Sequence, residues 1–374
     1  MKLKVVNVPS IQKPIQKSPG FAKKELADYK LDLMGLCSYG CSYCSSTAGN
    51  YLRMKREEFA DATAEQTGER TYPADDPALT FAWPDVEERL AAQLATKAPT
   101  WGAGKTLVLS QLTDAFSPLA LSTGLTERAV RMVLERTSFR IRVLTKGAVV
   151  GTDKWIRLFA DHPGRFVVGL SIGTLDNEWA RKVEIGTSSP SARVEALHRL
   201  QDAGVPTFGM LCPVFPDVLL GEGVERLVAA MRPEKCETFW AEPYNDRNNW
   251  QAVRAGYSEG TYGWEFLTAV YRDGKRAQWS RYATDLYERI AIVGMRDGWI
   301  ARFKYLLYED WIAKSDAGRF AGMAGVLLQS KPAEREVNGK PVETGWSTNR
   351  AIRDAQRFEG DGYVGWRNGK RVAA

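Results

Sequence analysis

The chain has 374 residues, 44% hydrophobic and 26% charged, with a net charge of +6 at pH 7, values ordinary for a soluble globular protein. No run of about 18 apolar residues argues for a membrane span, and the opening "MKLKVVNVPSIQKPIQKSPG" lacks the apolar stretch of a secretory signal. Five cysteines are too few for a disulfide scaffold of this size, so a reducing, cytoplasmic compartment is expected.

Residues 1–27 read as a basic N-terminal tail, because Lys2, Lys4, Lys13, Lys17, Lys23 and Lys24 all precede the first acid, Glu25. Such a tail is usually solvated and mobile, and it can also meet a phosphate backbone. The closing run "WRNGKRVAA" has the same character. Over residues 28–245 two periods alternate. Strands are predicted at 29–35, 106–111, 141–146, 166–172, 207–212 and 237–242. Helical patterns lie between them. "PDVEERLAAQLA" starts on Pro84, suited to a first turn, and "GLTERAVRMVLER" sets Leu125, Ala129, Val130, Val133 and Leu134 on one face. "SPSARVEALHRLQDAG" ends at Gly204, a C-terminal cap glycine.

Six strands each followed by a helix imply parallel βαβ units with right-handed crossovers. Six are too few for a complete eight-stranded barrel. The fold expected is therefore α/β, a partial (β/α)6 barrel over 28–245 with a long insertion near 45–83. Residues 246–374 read as a helical, Trp-rich C-terminal extension.

Chemistry in parallel α/β sheets gathers at the C-terminal ends of the strands. The residues expected there are Cys37, Cys41 and Cys44, then Thr113 and Asp114, then Lys146, Ser171 and Thr174, then Cys212, Glu242 and Asn245. The stretch "LCSYGCSYC" spaces its thiols C-x3-C-x2-C. A zinc site would want four ligands, and both histidines, His162 and His198, fall in distant predicted helices. Three thiolates suit a [4Fe–4S] cluster with one iron left open.

This loop, with Tyr43 just before its third cysteine, resembles the radical S-adenosylmethionine (SAM) superfamily. The resemblance implies a partial barrel carrying a [4Fe–4S] cluster on Cys37, Cys41 and Cys44, with SAM chelating the open iron. It also implies an electron donor such as flavodoxin or ferredoxin, and hydrogen abstraction by a 5′-deoxyadenosyl radical. The segments "LTDAFSP", "RVLTKG", "VVGLSIGTLDNEWARKVEIGT", "PSARVEALHRLQDAGVPTFGMLCPVFP" and "AEPYN" further resemble the spore photoproduct lyase-like (DNA repair photolyase) branch. That resemblance implies Lys146 and Ser171 as polar contacts to SAM and Arg193 as a partner for its carboxylate, with Tyr43, Ser110, Thr113 and Asp114 also around the cofactor. The chain departs from the lyase at Ser45, where the lyase has tyrosine, and at Ser110, where it has a hydrogen-donor cysteine. Cys212 is the thiol expected to take over as donor, whereas Cys236 reads as structural. The expected activity is a radical SAM reaction on a nucleic-acid or nucleotide-like substrate. A small metabolite or peptide substrate is the alternative, as is a nucleic-acid-binding protein with a structural metal on the three cysteines.

Overall fold

The computed structural model describes residues 3–22, 24–48, 56–111, 113–246, 249–307 and 312–320, together with short strands between 334 and 373. Lys2, Lys23, residues 49–55 of the expected insertion and parts of the basic closing run lie outside the described residues. The chain divides into two compact units. The first comprises Met1–Ser171, Leu175–Thr207 and Asp246–Gly256, and the second Ile172–Thr174, Phe208–Asn245 and Tyr257–Ala374.

The first unit opens with strands β1 (Lys4–Asn7), β2 (Ile15–Lys17), β3 (Tyr29–Leu31) and β4 (Met34–Leu36). β5 (Leu79–Ala82) lies parallel to β1 and antiparallel to β4, making a small three-stranded sheet. The N-terminal segment is thus built into two sheets instead of trailing as a mobile tail. Its Val6 and Val8 pack with Leu36, Phe59, Leu79, Phe81, Trp83 and Val86 in one apolar cluster. Phe59 comes from helix Arg56–Thr67, so the expected insertion supplies both a helix and a strand to this cluster.

The other sheet of this unit runs β2-β3-β6-β7-β8, with β6 at Thr106–Leu109, β7 at Arg140–Thr145 and β8 at Phe166–Leu170. β3, β6, β7 and β8 are parallel neighbours, and Val168 of β8 registers with Thr207. β8 reads FVVGL with all five residues buried, as a strand covered on both faces requires. Helix Leu125–Arg136 turns Ala129, Val130 and Val133 inward, and helix Pro190–Asp202 is capped by the Ser189 hydroxyl. The strand predicted at 29–35 is two strands. Asp32 interrupts it because its buried carboxylate accepts the Gln111 N–H at 2.9 Å.

The second unit holds β9 (Thr207–Val214, less its first residue), β10 (Cys236–Pro243) and β11 (Phe303–Tyr305), adjacent in that order. β10 and β11 are parallel. β11 lies in the region expected to be helical, and helix Arg276–Arg296 is the long element of that region. Trp240, Trp279 and Trp299 are buried in this unit, and the Trp279 indole donates to the Tyr244 carbonyl at 2.9 Å. These late tryptophans are core. Farther on, Glu334–Val337 pairs with Lys340–Glu343 and Val364–Arg367 with Lys370–Ala373, both antiparallel. The extension is therefore helical only in part. No helix of the described residues is long and apolar enough to cross a membrane. The expected class holds, an α/β fold with a parallel sheet and a helical portion toward the C-terminus.

Candidate active site

The three-cysteine loop follows β4. Gly40 turns it with φ +57, and a Cβ there would stand 2.4 Å from the Pro77 ring, so glycine is required on both counts. The Tyr39 hydroxyl, buried, donates to the Phe116 carbonyl at 2.7 Å. The Cys44 sulfur accepts the Ser46 N–H at 3.3 Å.

A second segment, 183–186, is laced to this loop. Cys41 and Glu184 form an antiparallel bridge, the Ser42 N–H donates to the Val183 carbonyl at 2.8 Å, and the Gly186 N–H donates to the Tyr39 carbonyl at 2.9 Å.

Burial pushes the Cys37 thiol up to about 12, with Cys44 and Asp114 adding to the shift. Burial also raises Cys41, assisted by Glu184 and opposed by Lys146. The surroundings of Cys37 and Cys41 thus disfavour bare thiolates. A cation that binds sulfur removes that penalty, which is the donor chemistry an iron–sulfur cluster uses. Among the described residues no three His, Cys, Asp or Glu side chains converge as ligands of a single ion. A cluster has a different requirement, one thiolate on each of three irons.

Beside the loop sits a charged group. The Lys146 ammonium donates to the Ser171 hydroxyl, stands 3.6 Å from the Glu184 carboxylate, and lies over the Tyr43 ring at 5.5 Å. The Tyr43 hydroxyl donates to Glu184 Oε1, the same oxygen that Lys146 approaches, and Arg193 donates to Glu184 Oε2. Burial alone would raise Glu184, but Lys146 and Arg193 hold its carboxyl below the usual range.

Several expected site residues have partners within the protein. Arg193 is fully buried and spends its guanidinium on Glu184 and on the Ser171 carbonyl, 2.5 Å away. Its Nε has no partner among the described residues. Asp114 is also partnered within the protein. Its oxygens accept from the Phe116 N–H at 2.9 Å, the Thr145 hydroxyl at 2.8 Å and the Lys146 N–H at 2.8 Å, bracing the ends of β6 and β7. Burial raises its carboxyl nonetheless.

Ser110 and Thr113 differ from it, because their buried hydroxyl oxygens have no protein partner among the described residues. Cys212 belongs to the second unit, two residues before the end of β9. Its thiol donates to Glu242 Oε2 at 3.3 Å, and the Asn245 amide donates to Glu242 Oε1 at 3.0 Å. Cys236, the first residue of β10, is buried.

The radical SAM superfamily profile matches residues 32–232, more than half of the chain. The chain belongs to the radical SAM superfamily. It is therefore an enzyme of a family whose cofactors are a [4Fe–4S] cluster and SAM, and the thiol loop fits the first of these. Protein ORF301 of Acidianus two-tailed virus is 23% identical over 253 residues, 66% of this chain and 75% of that one. Protein MJ0683 of Methanocaldococcus jannaschii is 24% identical over 127 residues, 34% of this chain and 46% of the relative. Among solved structures, a spore photoproduct lyase variant aligns with TM-score 0.43 and 16% identity, covering 68% of this chain and 66% of the lyase. The chain thus spans just under two thirds of that lyase and about half of MJ0683.

Glu184 was not among the residues singled out from sequence. The available signal was an acid set between Val183 and Ile185 and followed by glycine, at the end of helix Asn177–Val183.

Proposed function

We propose that this radical SAM protein holds its cluster on Cys37, Cys41 and Cys44, binds SAM beside Lys146 and Ser171, and takes a hydrogen atom from a nucleic-acid or nucleotide-like substrate. The carrying observation is the junction of a three-thiol loop with a cationic strand end, through Tyr43, Glu184 and Lys146. When bound, the cluster and SAM together supply a 5′-deoxyadenosyl radical.

The protein's own groups prepare the place for it. Lys146 and Arg193 flank the Glu184 carboxylate, and the Lys146 ammonium is a charged donor suited to a ligand carboxylate. The unpartnered hydroxyls of Ser110 and Thr113 supply donors that a polar ligand would satisfy. Tyr43 gives an aromatic face whose hydroxyl is fixed by Glu184.

Cys212 is the proposed hydrogen donor at the end of the reaction. Its S–H bond breaks as a substrate C–H bond forms, and the thiyl left behind takes one electron from the external reductant and a proton from solvent. The Glu242 contact orients that thiol. The net charge of +6 and the sequence resemblance to the spore photoproduct lyase-like branch support a phosphate-bearing substrate.

The substrate class is tested with deuterated oligonucleotides and the anaerobically loaded enzyme. Deuterium recovered in 5′-deoxyadenosine supports it. Deuterium delivered only by a labelled peptide or metabolite pool, and none by oligonucleotides, overturns it.

A further inference from the structure

We infer that Glu184 is a positioning residue for the cluster loop, fixing the segment Cys41–Tyr43 against Lys146 and setting with its negative charge the potential at which a cluster there accepts an electron. The inference rests on the radical SAM reading of the site.

The loop is clasped twice. The backbone clasp is the Cys41–Glu184 bridge with its flanking hydrogen bonds from Ser42 and Gly186. Its closeness depends on glycine, because a Cβ at Gly186 would stand 2.5 Å from the Ser38 carbonyl oxygen and 3.1 Å from the Tyr39 Cα. The side-chain clasp is the carboxylate itself, whose Oε1 receives the Tyr43 hydroxyl while Oε2 is held by Arg193. One oxygen thus serves the loop and the other anchors the group. Glu184 is 4% exposed and Arg193 0%, so solvent screens their charges little. A buried ion pair of this kind adds little net stability over an apolar pair of the same volume. Orientation and electrostatics account for it better. A fixed negative charge beside a cluster disfavours the incoming electron and so lowers the potential.

The test is an EPR-monitored redox titration of the full chain after anaerobic reconstitution, with iron and sulfide content measured alongside. Glu184→Gln is expected to load iron as the parent does and to titrate at a more positive potential, with Glu184→Asp returning toward the parent value. A fully loaded Glu184→Gln protein at the parent potential overturns the inference and leaves the radical SAM reading standing. A parent protein that takes up no iron removes both.

Glu184→Gln leaves Arg193 buried without its charged partner, so Tyr43→Phe, which keeps both charges, serves as the second variant. Amide exchange across residues 37–47 of the loaded protein should quicken roughly tenfold, the loss of one hydrogen bond to a charged group. Unchanged exchange there overturns the clasp.

Discussion

Lys146 draws its position from four directions: Asp114 through its backbone, Ser171 and Glu184 through its ammonium, and the Tyr43 ring beneath. Replacing it by Met should leave iron content intact and weaken SAM binding by roughly tenfold or more, the worth of a charge-assisted contact. Equilibrium binding to the reconstituted protein measures this, and an unchanged affinity would remove Lys146 from the SAM site. Substituting any one of Cys37, Cys41 or Cys44 by Ala should cost the cluster, whereas Cys236→Ala should not; colorimetric iron assay separates the two outcomes.

A different carboxylate gives a pH test. Arg289 holds Glu225 below the usual glutamate range by hydrogen bonding, against a smaller opposing effect of burial. A depressed carboxyl stabilises the fold above its unfolded pKa and loses that contribution as pH falls through the folded value. The gap in stability between the parent and Glu225→Gln is thus open at neutral pH and closes below pH ~4. Glu225 is more than a third exposed, so the gap is at most about 1 kcal/mol. Thermal melts across pH would contradict this if the gap persisted in acid. At this scale the cysteines were legible because they are neighbours in the chain. Glu184 was not, since it meets Tyr43 across 141 positions and only the folded chain joins them.

The helix-and-strand alternation from β6 to β10 followed from apolar runs bounded by turn residues, and those elements formed within a residue or two of expectation. The small sheet β1-β5-β4 escaped because its strands are three or four residues long and its first one is lysine-flanked. What identifies it is pairing, and pairing is tertiary. Phe81, fully buried in that sheet and 4.5 Å from the Phe59 ring, tests whether it is a structural part of the unit. Phe81→Ala should cost about 3–5 kcal/mol, read as a lowered denaturation midpoint; a loss below 1 kcal/mol would contradict the packing. Asp32 shows the converse limit. A single acid inside "YKLDLMG" ended one strand and began another, because its side chain replaced a ladder partner for Gln111.

At the scale of the whole chain, the excess of positive charge is partly committed. Lys4 pairs with Asp76 at 2.7 Å, and Lys105 with Asp28 at 3.3 Å, so neither is a free phosphate contact. The basic N-terminal reading treated Lys4 as solvated because its partner lies 72 positions later.

The superfamily assignment rests on the sequence match over residues 32–232, and the site geometry adds a thiol loop joined to a cationic strand end. The direct measurement is anaerobic reconstitution with iron and sulfide, followed by SAM and a one-electron reductant, with 5′-deoxyadenosine quantified. The account predicts a brown protein that forms 5′-deoxyadenosine only when reduced and only with all three loop cysteines present. Stoichiometric zinc in place of iron, or a loaded cluster that leaves SAM intact under reduction, would contradict it.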